Sequence, residues 1–426
     1  MDAKPVNSSK PILIIGALFF IFGFVTWING TLIPFLKLAC NLETDAQAFF
    51  VTFAFYMAYF FLAIPSSYIL KKTGYKNGMA VGLIVMSIGC LVFIPAATSR
   101  SFTLFLTGLF IQGAGLALLQ TASNPYISIV GPIESAAQRI SIMGICNKVA
   151  GILSPLILGA IVLKDATALE SKIAETTDVL SKNALLDELA GRVVTPYIVI
   201  AVSLVILAFW IRKSSLPDID ASKVNAQPEG KALDAGKTSA LHFPHLVLGV
   251  LCLFLYVGVE VLAGDAIGMY GKSFGIPLDE TKNYTSFTLG AMLVGYIIGI
   301  IAIPKYISQE NSLKISAVLG VLFALGALLT QGYVSVGFVA ALGLANALMW
   351  PAIFPMAIRG LGRFTETGSA LLVMGISGGA VLPLVFGHYK EIYNFQWVFF
   401  ILMAVCYLYI FYYSIAGHKV GLNSDK

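Results

Sequence analysis

Residues 113–155 read GAGLALLQTASNPYISIVGPIESAAQRISIMGICNKVAGILSP. One apolar run carries Gln120, Asn124 and Pro125, breaks at a polar turn around Glu134 and Arg139, and gives way to a second with Asn147 and Lys148 inside it. The runs are continuous rather than alternating, which is the pattern of lipid-spanning helices and not of barrel strands. Amides and an ammonium at bilayer depth are expensive, so they are expected to face a watery cavity or a partner helix. This hairpin is the candidate site.

Runs of similar length, roughly 20 residues each, recur along the whole chain. Of its 426 residues 58% are hydrophobic and 12% charged, and the mean hydropathy is +0.86, too few charges for a soluble surface. An all-α integral membrane protein follows. Twelve spans are expected at 11–37, 46–70, 77–98, 102–127, 137–163, 194–212, 244–271, 282–304, 314–331, 333–356, 366–387 and 395–416. Two polar segments interrupt them. Lys164 to Arg192 has the pattern of a short amphipathic helix, and Ser214 to Ala240, with Pro217, Pro228, Gly230 and Gly236, reads as a linker. The expected division is a six-helix unit over 1–213, a linker over 214–242 and a second six-helix unit over 243–426. Lysines and arginines concentrate on the connections that share a side with the termini, which by the positive-inside rule puts both termini in the cytoplasm.

Other classes find no support. Cys40, Cys90, Cys146, Cys252 and Cys406 are odd in number and scattered in apolar runs, as small buried hydrophobes would be. His242 and His245 have no acid partner for a metal site, no phosphate-cradling glycine loop precedes a helix, no catalytic constellation marks an enzyme, and nothing suggests nucleic-acid binding.

Several blocks resemble a known family. They are Gly74-Tyr75-Lys76, Leu119 to Tyr126, Gln138-Arg139-Ile140-Ser141 with Asn147, Tyr256 to Glu260, and Arg359-Gly360-Leu361-Gly362 followed by Gly368 to Met374. Together they resemble the fucose–hexose symporter branch of the major facilitator superfamily. The resemblance implies two six-helix bundles and import of a hexose or hexose derivative such as glucose, galactose, fucose or N-acetylglucosamine. It also implies a single chain as the working unit, in a bacterial inner membrane. Proton-coupled fucose importers of that branch carry an aspartate and a glutamate at the positions of Gly30 and Gln120. Neither residue here carries a proton, so that relay does not transfer. H⁺ and Na⁺ both remain open as coupling ion, and no other cofactor is implied. The branch's sugar-contacting asparagine persists as Asn147, while a glutamine one turn earlier is Gly144.

Sugar recognition needs amides for paired hydrogen bonds and an aromatic face for the ring. Trp27, Asn29, Gln120, Asn124, Asn147, Asn346 and Trp350 are the expected binding set, with Asn283 a weaker member near a span end. Lys148 falls about 16 Å into its span and Glu260 about 24 Å into its own, and Asp265 lies nearer the outer surface. The three are expected to serve coupling, as a titrating carrier, a static ion pair or a charge standing in for a bound cation. Lys71, Lys72, Lys76, Glu134, Arg139, Arg359 and Arg363 cluster at cytoplasmic helix ends, where they are expected to gate. The rival to transport is a membrane sugar sensor that binds without moving its ligand.

Overall fold

The computed structural model describes residues 9–129, 136–214, 216, 237–303 and 305–422. They are helical throughout, with no strand among them. In the first half run α1 (Ser9–Trp27), α2 (Asn29–Ala39), α3 (Asp45–Ala48), α4 (Phe50–Thr98), α5 (Phe102–Ile129), α6 (Ala136–Val162), α7 (Ala166–Glu175), α8 (Val179–Gly191) and α9 (Val194–Lys213). In the second run α10 (Pro244–Gly264), α11 (Ile267–Lys272), α12 (Leu278–Thr281), α13 (Tyr284–Ala302), α14 (Gln309–Leu329), α15 (Gly332–Asn346), α16 (Met349–Ile358), α17 (Thr365–Met374), α18 (Gly378–Tyr389) and α19 (Phe395–Ile415). Most of the linker, residues 217–236, lies outside the described residues.

Eleven helical stretches among the described residues are long and apolar enough to cross a bilayer, one of them 54 residues long. That stretch contains α4, whose 49 residues would measure about 74 Å as a straight helix, over twice the roughly 30 Å of hydrocarbon. Gly74, at φ 75° and ψ 165°, divides it. This backbone region is essentially closed to side chains, so glycine places the turn here and yields two bilayer-length limbs. Twelve spans result among the described residues, an even number that returns the end of α19 to the face on which α1 begins. We call that face proximal and the opposite one distal.

Outward-turned Ile157, Ile161, Val202, Ile206, Phe209, Val294, Ile298, Leu322, Ile401 and Val405 are exposed, as side chains facing lipid must be. Four spans are broken rather than straight. The first bends at Ile28, whose carbonyl accepts from both Thr31 and Leu32 at 3.0 Å. The seventh breaks at Asp265–Ala266 between α10 and α11, the tenth between Asn346 and Met349, and the eleventh at Gly375–Ser377. Broken spans of this kind bring backbone polar groups to a protein-lined interior. Where one amphipathic helix was expected over Lys164 to Arg192, there are two, α7 and α8, because the unwound Thr176–Asp178 segment and an Asp178 side-chain cap on Ser181 begin a new helix.

Candidate functional site

A cavity lies between the halves. From the first half it is lined by Trp27 on α1, Tyr56 and Tyr59 on α4, Gln120 and Asn124 on α5, and Gly144, Asn147 and Lys148 on α6. The second half contributes Tyr256 and Glu260 on α10, Tyr296 on α13 and Trp350 on α16. Helices α5 and α6 thus bring Gln120, Asn124, Asn147 and Lys148 to the same cavity.

The polar groups are held in place. Trp27 Nε1 donates to Asn147 Oδ1 at 3.2 Å, and Gln120 Nε2 donates to the Tyr59 hydroxyl at 3.0 Å. Asn147 Nδ2 in turn donates to the Phe19 carbonyl at 3.5 Å, which leaves its second amide hydrogen, and the Gln120 oxygen, for a hydroxylated ligand. Lys148 Nζ bonds Glu260 Oε1 at 2.8 Å, with side chains only 6% and 10% exposed. The same ammonium lies 4.2 Å from the centroid of the Trp27 ring, close enough for cation–π attraction. One buried contact thus joins α6 of the first half to α10 of the second, with α1 beneath it.

Small residues set these approaches. A Cβ on Gly151 would fall 2.6 Å from Trp27 Cδ1 and one on Gly264 2.5 Å from Trp27 Cζ3, so the indole sits between glycines of the two halves. A Cβ on Gly144 would fall 2.6 Å from the Tyr296 ring. The aromatic ring thereby takes the space beside α6 that a larger side chain at position 144 would fill.

Three expected members do not line the cavity. Asn29 is fully buried at the start of α2, beyond the bend at Ile28 that rotates it away, and neither of its amide atoms has a hydrogen-bond partner. Asn346 ends α15, where its Oδ1 accepts from the Tyr407 hydroxyl at 2.8 Å inside the second half. Asn283 likewise lies outside the cavity lining, before the first turn of α13. The tyrosines 56, 59, 256 and 296 were missed by sequence reasoning. One signal for Tyr256 was available, since it precedes Glu260 by four residues and so shares its helix face.

Asp265 is 1% exposed, just past α10, and neither carboxylate oxygen makes a hydrogen bond of full geometry. Its polar surroundings are Tyr56, the Gly30 backbone, Glu260 and Lys148.

The expected gating residues are dispersed. Lys71 shares a proximal recess with Tyr75, Thr121 and Glu366. Lys72 is exposed, Lys76 donates to the Ser214 carbonyl, Arg139 Nε donates to the Ile127 carbonyl at 2.9 Å, and the Arg359 carbonyl bonds His245 Nε2 at 2.9 Å. Glu134 and the side chain of Arg363 lie outside the described residues. Side chains also join the two halves on the distal face. There Asp45 pairs with Lys37 and with Lys390 across the halves, Lys272 pairs with Glu170 at 2.7 Å, and Glu391 accepts from the Asp45 N–H at 2.9 Å. Asp279 accepts from the N–H groups of Ala166 and Thr167 at 3.2 and 3.0 Å, while its own N–H donates to Thr167 Oγ1 at 3.1 Å. The second half thus caps α7 of the first, satisfying N–H groups that a helix start leaves open.

The comparisons agree with this architecture. The family model of the Major Facilitator Superfamily matches residues 15–383. A glucose/galactose transporter of Brucella abortus biovar 1 (strain 9-941) is 33% identical over 405 residues, covering 94% of this chain and 92% of the relative. An L-fucose-proton symporter of Escherichia coli (strain K12) is 28% identical over 424 residues, covering 97% and 94%. Among solved structures, the E. coli fucose:proton symporter FucP superposes with a TM-score of 0.76 at 25% identity, over 96% of this chain and 98% of that one. These relatives are transporters rather than enzymes, and the family model takes in most of the chain: the chain belongs to the major facilitator superfamily.

Proposed function

We propose that the chain is a secondary-active importer of a hexose or hexose derivative, working by cation-coupled alternating access between its halves. The observation that carries this reading is the cavity on the seam, where Gln120 and Asn147 are held by hydrogen bonds beside tryptophan and tyrosine rings. Amides pair with adjacent sugar hydroxyls, and aromatic faces cover the C–H side of a pyranose. The names of the relatives, a glucose/galactose transporter and an L-fucose-proton symporter, support the same class of substrate.

In this assignment Gln120, Asn124 and Asn147 hold the sugar from the first half, with Trp27 and Trp350 supplying aromatic faces. The positive-inside rule puts the proximal face, and with it both termini, in the cytoplasm of a bacterial inner membrane. The distal contacts between the halves then correspond to a conformer closed to the outside. Lys148, Glu260 and Asp265 form the coupling group. The Lys148–Glu260 contact crosses the seam, so any motion that parts the halves changes its energy, which is what coupling requires. One chain holds the complete cavity.

Reconstitution into proteoliposomes tests this reading. Vesicles loaded with unlabelled D-glucose, D-galactose or L-fucose are expected to take up the labelled sugar by counterflow, and Asn147→Ala to weaken it. Binding of a sugar without counterflow would overturn transport in favour of a sensor.

A further inference from the structure

The charges at the seam do not balance. Lys148 and Glu260 neutralise one another at 2.8 Å, which leaves the charge of Asp265 over. That carboxyl is 1% exposed and makes no hydrogen bond of full geometry, its nearby hydrogen-bond donors being the neutral Tyr56 phenol and Gly30 backbone. A buried, unpaired carboxylate is costly enough that such groups bind a cation or become neutral. The titratable and polar groups facing it are Glu260 on its own span, Lys148 on α6, the Tyr56 phenol on α4 and the Gly30 backbone on α2, while α13 packs against the same break through the uncharged Thr285 and Thr288.

An alkali-metal ion would need a shell of oxygen lone pairs. Each carbonyl beside Asp265 already accepts a hydrogen bond, Gly264 O from Thr285 Oγ1 and Ala263 O from Thr288 Oγ1, both at 2.9 Å, which leaves at most one lone pair apiece for an ion. Val261 O accepts from the N–H of Asp265 at 2.7 Å and of Ala266 at 3.4 Å. A proton needs no such shell, because a single O–H bond on the carboxyl neutralises it.

We infer that Asp265 is the group that takes up and releases the coupling proton, and that the ion moved is H⁺ rather than Na⁺. This rests on the transport reading for its functional consequence. A hydronium ion breaks one of its O–H bonds as an O–H bond forms at one carboxylate oxygen, leaving water, and on release the carboxyl O–H breaks as a water molecule takes the proton to become hydronium. The residue stands at the α10–α11 break, in the second half, while Tyr56 and Gly30 belong to the first. Rocking the halves therefore exchanges its surroundings, and its proton occupancy biases which side is open.

Two measurements on the full-length protein in lipid decide it. Infrared difference spectra between acid and alkaline buffer, taken with ¹³C-aspartate labelling, are expected to show a protonated-carboxyl band that shifts with the label. The band should vanish in Asp265→Asn and stay unmoved when Na⁺ replaces K⁺ at fixed pH. Absence of an aspartate band in wild type, or its displacement by Na⁺, would overturn the inference whatever sugar is carried. In proteoliposomes with an internal pH dye and D-galactose, L-fucose or D-glucose, wild type is expected to carry protons inward with sugar. The number of protons per sugar should fall toward zero in Asp265→Asn. An unchanged ratio, or accumulation driven by a Na⁺ gradient at fixed pH, would refute proton uptake at Asp265 while leaving sugar transport standing. Absence of counterflow in wild type would instead strike the transport reading, and the infrared arm would still decide the fate of Asp265.

Discussion

Removing the carboxylate of Asp279 should open the distal face. In the closed conformer that side chain takes two N–H groups at the start of α7, at 3.2 and 3.0 Å. Loss of a helix cap costs about 1 kcal/mol, with a range of roughly 0.5–2. The attraction of a carboxylate to the helix N-terminus adds about 0.3–1 kcal/mol. The hydrogen bond from the residue 279 N–H to Thr167 Oγ1 survives substitution, so Asp279→Ala should disfavour the closed state by about 1–2 kcal/mol, equivalent to a shift of roughly 5–30-fold in the open-to-closed ratio. Spin labels at Thr177 and Tyr393, exposed on the distal connections of the two halves, would report the ratio as a distance distribution by pulsed EPR. Asp279→Asn keeps one acceptor oxygen and should fall between. Asp187, whose partner Arg100 lies in the same half, supplies the control, and Asp187→Ala should leave the distribution alone. An unchanged distribution in Asp279→Ala, or an equal change in Asp187→Ala, would refute the trans-cap as a gate.

Three other outcomes are expected. Lys148→Met and Glu260→Gln each strand a buried charge and should each destabilise the fold by about 3–5 kcal/mol, with much of that recovered in the double variant; a coupling energy near zero in an SDS-unfolding cycle would count against the pair. Gly74→Ala forces a side chain into a glycine-only backbone region and should cost about 1–3 kcal/mol, seen as a lowered Tm in detergent, and an unshifted Tm would show that the turn is not constrained as described. Asn147→Ala removes a sugar-facing amide worth about 1 kcal/mol, so sugar affinity should fall several-fold in equilibrium binding, whereas unaltered affinity would remove Asn147 from the site.

Much of the architecture was readable before the coordinates, because bilayer thickness imposes a length on each apolar run and lipid forbids unpaired backbone. The same logic brought Lys148 to the interior, since its span leaves no loop to hold it. Orientation around the helix axis was less legible. Asn29 and Asn346 stand beside breaks at Ile28 and Ala347–Leu348 that turn them out of the cavity, and such breaks depend on tertiary packing. Tyr296 reaches the cavity only because Gly144, more than a hundred residues earlier, leaves room for it. The distal contacts were hidden for a related reason. Asp279 and Glu391 read as ordinary loop charges, and only their meeting with N–H groups of the first half shows that they finish helices belonging to another part of the chain.

The placement of tryptophans has a spectroscopic consequence. Of the four in the chain, Trp27 and Trp350 line the interior, whereas Trp210 and Trp397 are 44% and 56% exposed on the outer surface. Brominated acyl chains would quench the outer pair by contact and leave the inner pair emitting. Emission that survives in such vesicles comes from two indoles, one pressed beneath an ammonium and the other stacked on Phe354 at 5.8 Å. The unlabelled protein therefore carries its own optical gauge of how the interior fills and empties.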